Sequence, residues 1–439
     1  MTIHVFAGPS LSGSPVLELD GICAHPPIAH GDLFRLRLSP DDAVLIVDGV
    51  YQHTAPVRHK EILAVYATGV PIYGTASLGA LRACEHLGHG MIGLGTVFGW
   101  YRDGRVFSDA DVALTHGDAD VDFHAFTHAL VSILSVTDRL VLAGRLDSAT
   151  ASRIVETARS VHFSMRTNAA LLAAAEMEED ADGLTASMRL VLDELDDDRL
   201  GDIKRIDAEA AIRYLLAQET LTPPDDDVTV PDTTYGREWR FQHTPATSDL
   251  NGPTRRQVLA YAQLFLPDYP DRHTKYVLNS LRPEHPAVGA GGLSPAWVDA
   301  LTPEEWEHRG VLVGDEPATL NAHDRAIRVL VRTFRLRSGR LVYEDIPSGL
   351  LDDMPELIDQ CARLLQMNEE AMRVNPLFHP GDIPPEMLDS TFAALWRTDK
   401  LPVHVLDRGF RSVADFREQA RPFFIAARAS VSTAAAANS

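Results

Sequence analysis

Apolar residues in the first part of the chain fall into two rhythms. Short, mostly unbroken runs at 3–7 (IHVFA), 43–48 (AVLIVD) and 70–74 (VPIYG) are rich in branched or aromatic residues and close at or just before a glycine. Runs of this kind predict strands of a parallel sheet covered on both faces. Between and after them, residues 56–68 and 78–86 (LGALRACEH) carry helical spacing, the first with proline at its start and Gly69 at its end. Strand, helix, strand, helix predicts an α/β N-terminal domain with a mostly parallel sheet. Residues 91–106, where glycine recurs, read as hairpin or loop.

The rhythm then changes. Residues 123–146 and 151–175 predict amphipathic helices, and the acid-rich stretch 176–198 a solvated helix face or loop. Residues 221–236 (LTPPDDDVTVPDTTYG) predict a linker. This divides the chain into 1–220, the linker, and a mainly α-helical C-terminal region at 237–439. There Ser294-Pro295 and Thr302-Pro303 are helix-start signals, and 322–340 is a helix carrying Arg325, Arg328, Arg332, Arg335, Arg337 and Arg340. That helix is an exposed face or a dock for an acidic partner. Residues 429–439 read as a frayed tail.

Charge narrows the partners. With 62 acids against 40 bases, net −22, the chain lacks the cationic excess that meets phosphates, which argues against nucleic acid and anionic membrane. Cys23, Cys84 and Cys361 lie far apart with no CxxC pair, so neither disulfides nor a thiolate zinc site is expected. With no membrane-length apolar run or basic leader, the expectation is a soluble, cytoplasmic protein.

Candidate chemistry gathers at Gly74-Thr-Ala-Ser77-Leu-Gly79-Ala-Leu-Arg82. A serine between a buried strand and a helix has the mechanics of a nucleophile elbow, although Gly74 is one place too early for G-x-S-x-G. The plain alternative is that Ser77 caps the helix. Upstream, Arg58-His59-Lys60-Glu61 opens the preceding helix, so if the strands are parallel neighbours Lys60 can approach Ser77. A hydroxyl needs a base, and a lysine serves only when its pKa falls from about 10.4 to about 7 or 8. Arginine cannot do this, and the chain has only four lysines, Lys60, Lys204, Lys275 and Lys400. A surface Lys60 paired with Glu61 or Asp48 is the competing reading, and the other three lysines read as surface residues.

Weaker signals carry less. His124 and His128, four apart in HAFTH, would share a helix face but lack the glutamate and third ligand of a zinc site. Gly8-Pro9-Ser10 lacks the lysine of a phosphate loop, and Cys84 reads as packing. No cofactor and no metal are expected.

Taken together, Val5-Phe6-Ala7-Gly8-Pro9-Ser10-Leu11, Pro26-Pro27 with Gly31-Asp32-Leu33, Ile46-Val47-Asp48-Gly49-Val50, His59-Lys60-Glu61-Ile62-Leu63, Gly74 through Ala83 and Gly90-Met91 through Gly95 resemble the TfuA-like proteins. Tyr51 stands where the family usually has an aromatic such as phenylalanine, and nothing beyond about residue 220 is covered. The resemblance implies a partner of a YcaO-type enzyme in peptide backbone thioamidation. It further implies hydrolysis of a thiocarboxylated ThiS-like sulfur-carrier protein by a serine–lysine pair, here Ser77 and Lys60, with the precursor peptide met through YcaO. Asp48, His59, Ser10, Gly79 and Arg82 are possible supporting residues. Glycines 8, 49, 74 and 79 would leave a slot for a slim carrier tail. A non-catalytic adaptor that binds YcaO and its peptide is the alternative.

Overall fold

The computed structural model describes the chain apart from residues 51–53, 118, 197–201, 222–232, 282–284, 290–291, 339–344, 376 and 438–439, and apart from the side chains of 335–338 and 434–437. Tyr51 and most of the expected linker lie outside the described residues. The chain forms two compact units, Met1–Pro231 and Asp232–Ser439.

The first unit is built on five parallel strands, β1 (Ile3–Phe6), β2 (Ile22–His25), β3 (Ala43–Ile46), β4 (Ile72–Gly74) and β5 (Met91–Gly93), in the order β2-β1-β3-β4-β5. The central strands are apolar throughout because both faces are covered. Helices α1 (Asp32–Arg35), α2 (His59–Tyr66), α3 (Leu78–Glu85) and α4 (Gly95–Arg102) pack on the face carrying Phe6, Val44, Ile46 and Ile72. Four more helices follow, α5 (Leu130–Leu142), α6 (Ser148–Ser160), α7 (Asn168–Glu176) and α8 (Ala181–Leu195), with a core of their own. A ninth, α9 (Ile203–Leu216), returns to the sheet and lays Ala208, Ala211, Ile212 and Leu215 against Ile3, Val5, Leu45, Val47 and Tyr73 on the other face.

Several elements differ from the sequence expectation. β2 escaped notice because an edge strand that is only half-buried needs no apolar run, and Ile-Cys-Ala-His supplies none. The glycine-rich 91–106 is a strand followed by a helix: Gly95, at φ +89, turns the chain and the carboxylate of Asp207 accepts from Val97 N at 2.8 Å at the start of α4. The helix expected from 123 begins only at Leu130, since Asp122 and Phe123 both take positive φ and close a turn. His124 and His128 therefore share no helix face. The acid-rich stretch does give the solvated helix face expected: α8 buries Leu184, Met188, Val191 and Leu192 and leaves its charges outward. Residues 151–175 break at a 3-10 turn, Phe163–Met165.

The second unit is mainly helical, with one two-residue antiparallel ladder between Val288–Gly289 and Gly292–Leu293. Its core is aromatic: Phe392, Phe410, Phe416 and Phe423 are buried in one cluster. Ser294 and Thr302 do precede helices, without side-chain cap bonds. The tail is helical to Ala437 within Phe424–Ala437, because its alanines are strong helix formers. In the arginine helix, Ala322–Ser338, the described arginines Arg328 and Arg332 do not form the open basic face expected, while Arg340 and the side chains of Arg335 and Arg337 lie outside the described residues. Arg332, with a 2% exposed side chain, bonds to Glu316 at 2.6 Å and Asp407 at 2.8 Å, and Arg328 joins both carboxylates. Among the described residues, no helix is long and apolar enough to cross a membrane.

Candidate functional site

In a parallel sheet of this order, the chain leaves β1 and β3 in opposite directions, which opens a crevice at their carboxyl ends. The turn after β1 and the segment after β3 meet there. Asp48, 2% exposed, accepts from Gly8 N and Ser10 N at 2.9 Å and from the Ser10 hydroxyl at 2.7 Å. Two successive free amides curl around an anion in this way as a backbone nest, and here the anion is the chain's own carboxylate. The phosphate-loop reading of Gly8-Pro9-Ser10 is thereby excluded on geometry as well as sequence.

Lys204 completes this cluster. Its side chain is 1% exposed, its Nζ donates to Val112 O at 3.1 Å and stands 3.9 Å from Asp48 Oδ1. The surface reading of Lys204 is thus corrected. Helical spacing holds the missed signal: Lys204 lies four before Ala208 and eight before Ile212, on the stripe that α9 turns to the sheet. Lys275 is exposed and Lys400 pairs with Asp315 on the surface, as expected.

Ser77 lies one strand over. The chain leaves β4 through Thr75, whose N–H still donates to Ile46 O at 3.1 Å, then turns at Ala76 with φ +63 and a 2.7 Å bond from Ser77 N to Thr75 O. A positive-φ γ-turn at a residue with a Cβ is strained, and surrounding structure must hold it. Gly79 N donates to Val47 O at 3.1 Å, so Ser77 and Asp48 flank one backbone bond. This clamp needs glycines: a Cβ on Gly79 would stand 1.8 Å from Ile46 O, and one on Gly74 2.1 Å from Gly79 O. The slot imagined over glycines 8, 49, 74 and 79 does not exist, because Pro27, Leu78 and the α3 backbone occupy that space. These glycines bring helix and sheet together.

Ser77 is 7% exposed and stands at the N-cap of α3, yet its side chain makes no cap bond and no other hydrogen bond among the described residues. The plain helix-cap reading is not realised. The Leu78 N–H, first of the helix, is likewise unused by the backbone, and Thr75 Oγ1 is buried without a partner. A cavity of about 530 Å³ opens beside this turn, lined by Leu78, Leu81, Arg82, Glu85, Phe107 and Asp109 among others.

Lys60 is the second residue of α2 and half-buried. No hydrogen bond joins it to Ser77. Glu61 is not its partner either: that fully buried carboxylate accepts from Gly31 N at 2.7 Å and Arg58 N at 3.0 Å and pairs with His30. His59 faces Glu85 at 3.1 Å and lies tilted against the ring of His86, and Arg82 pairs with the same Glu85. Burial, aided by His59, pushes the His86 imidazole down to about 4. His59 and Arg82 thus belong to a flank cluster on α2 and α3, whereas Ser10, Asp48 and Gly79 gather at the strand ends with Ser77. His124 packs its ring against Phe126 and His128 bonds to Asn168.

The first unit is therefore an α/β domain that presents an unbonded serine at a strained strand-to-helix turn beside a buried carboxylate–lysine cluster. Residues 48–167 match the family described as TfuA-like protein, which supports a TfuA-like character for that stretch. Ser10 and Lys204, both at the site, fall outside the matched residues. No curated protein matches the chain.

Proposed function

We propose that this protein releases sulfide from a thiocarboxylated ThiS-like carrier for a YcaO-type enzyme, with Ser77 as nucleophile and Lys60 as base. The TfuA-like character suggests a part in peptide backbone thioamidation with YcaO. The observation that carries the hydrolytic reading is the Ser77 hydroxyl, held by a strained turn with no hydrogen bond of its own. A structural serine at an N-cap would spend that hydroxyl on the helix.

In the proposed reaction a neutral lysine takes the Ser77 proton as Oγ bonds to the thiocarboxylate carbon. The C–S bond then breaks, and hydrosulfide leaves carrying a proton. Water attacks the acyl-serine ester and restores Ser77 and the carrier carboxylate. In this reading the unused Leu78 N–H, next in the chain to Ser77, donates to the developing oxyanion. Since Lys60 is not bonded to Ser77 in the free protein, carrier docking must bring the two together. Lys204 favours a second assignment of the base: it is buried at the same strand ends, and among the described residues its Nζ makes one hydrogen bond, to Val112 O, out of the three it can donate.

The test measures sulfide from thiocarboxylated carrier with wild type, Ser77→Ala, Lys60→Arg and Lys204→Arg. Ser77→Ala is expected to lower the rate at least about a thousandfold while melting with the wild type. Loss in Lys60→Arg alone supports the leading pair, and loss in Lys204→Arg alone transfers the base to Lys204. Wild-type release from Ser77→Ala would end the mechanism, and no sulfide from wild type would favour the adaptor.

A further inference from the structure

The edge of the sheet holds a second chemistry-bearing group. Cys23 and His25 are two apart on β2, so both side chains leave one face of the strand. His4 on β1 is registered opposite Cys23, and Phe6 opposite His25, which puts the three polar groups on that same face. One ligating atom from each of His4, Cys23 and His25 lies within 4.8 Å of the others. His4 Nδ1 and His25 Nε2 are 2.9 Å apart. Two nitrogens on a tetrahedral zinc ion, each about 2.0–2.1 Å from the metal, stand roughly 3.3 Å from one another. A few tenths of an ångström of ring movement suffices to admit an ion.

The surroundings favour a ligand set over chance proximity. Cys23 is a free cysteine, half-buried, with no hydrogen bond among the described residues. Phe6 stacks on His25 at 4.7 Å and fixes that ring. Asp42 lies near His4, but its oxygens already accept from Thr2 N at 2.9 Å and Ser39 N at 2.8 Å, which keeps it outside the ligand set.

We propose that His4, Cys23 and His25 form a binding site for a zinc-type divalent ion, with three protein ligands and a fourth position open to water. Thiolate with two imidazoles suits zinc and rejects the oxygen-seeking magnesium and calcium. Binding forms two metal–nitrogen bonds and one metal–sulfur bond. The thiol proton goes to solvent, and the proton between the rings moves to the far nitrogen of its own ring, with no change of oxidation state. The ion pins the edge strand β2 to β1, the strand that feeds the Gly8–Ser10 turn around Asp48.

The experiment titrates the chelator-treated full chain with Co²⁺ and then displaces it with Zn²⁺. The expected result is one ion per chain, a sulfur-to-cobalt charge-transfer band with tetrahedral d–d bands, and about one proton released per ion. Cys23→Ser is expected to abolish the charge-transfer band and weaken binding at least tenfold. His25→Gln weakens binding to a similar extent, whereas Cys84→Ser and Ser77→Ala leave it unchanged. Absence of the charge-transfer band in wild type, or its persistence in Cys23→Ser, would overturn the assignment. Should Cys23→Ser fail to fold, the wild-type spectrum and the His25→Gln titration decide.

Discussion

Each unit buries a cluster of opposite charges, and the two are built on different rules. In the second unit, Glu316, Asp407, Arg328 and Arg332 meet at hydrogen-bond distance, with Arg332 also giving a 2.7 Å bond to Val311 O. Every charge there answers another directly. In the first unit, Asp48 is satisfied by two backbone amides and a serine hydroxyl, and Lys204 stands off at 3.9 Å with most of its donors unspent. A saturated network locks helices together. A slack pair at the carboxyl ends of a parallel sheet holds a buried cation that is not saturated by its neighbours, which is what the proposed role of Lys204 as an alternative base needs.

The comparison can be broken by removing one cation at a time. Arg332→Ala leaves the buried Glu316 and the part-buried Asp407 to Arg328 alone and is expected to cost the second unit about 3–5 kcal/mol in urea unfolding. Lys204→Met leaves Asp48 its three other donors, so the expected cost to the first unit is about 1–3 kcal/mol. Equal losses would show that Lys204 is as structural as Arg332.

Proton linkage supplies a smaller contrast. His86, 3% exposed, is held neutral down to about pH 4, while the unfolded chain protonates it near 6.5. The unfolded state therefore binds more protons between those values, and the first unit loses stability as pH falls through the window, on the order of 1 kcal/mol by pH 5.5. For Glu316 burial works upward, but hydrogen bonds from Arg332 and Val313 N and the charges of Arg332 and Arg328 prevail and hold it below its usual value. Its contribution is present above the unfolded value and lost only as pH falls through the lower folded one. Hydrogen exchange at pH 7 and pH 5.5 should then show weaker protection in the first unit and an unchanged Glu316 contribution in the second. A His86→Gln variant with the same pH dependence as wild type would refute the assignment.

Legibility from sequence followed the source of each signal. β1, β3 and β4 could be read because double burial writes an apolar run into the chain, and the α3 boundary because a buried strand, small residues and a helical pattern follow in order. β2 could not be read, since half-exposure imposes no such run. Ser77 could be placed at a junction, but whether it capped α3 depended on a hydroxyl direction that spacing does not encode. Lys204 and Arg332 were misjudged for one reason: a long cationic side chain looks the same in sequence whether it faces water or a carboxylate brought from far along the chain.

What sequence determined alone was the alternation of strand and helix, the change to helical rhythm toward the C-terminus, and the set of residue types at the Ser77 turn, all of them consequences of local periodicity and backbone sterics. What tertiary structure decided was company. Strand order brought Ser10, Asp48 and Lys204 to one crevice, left the Ser77 hydroxyl unbonded beside it, and set His4 against Cys23 and His25 on the sheet edge. Those contacts join residues far apart in sequence, and only the register of strands and the packing of α9 bring them within bonding reach.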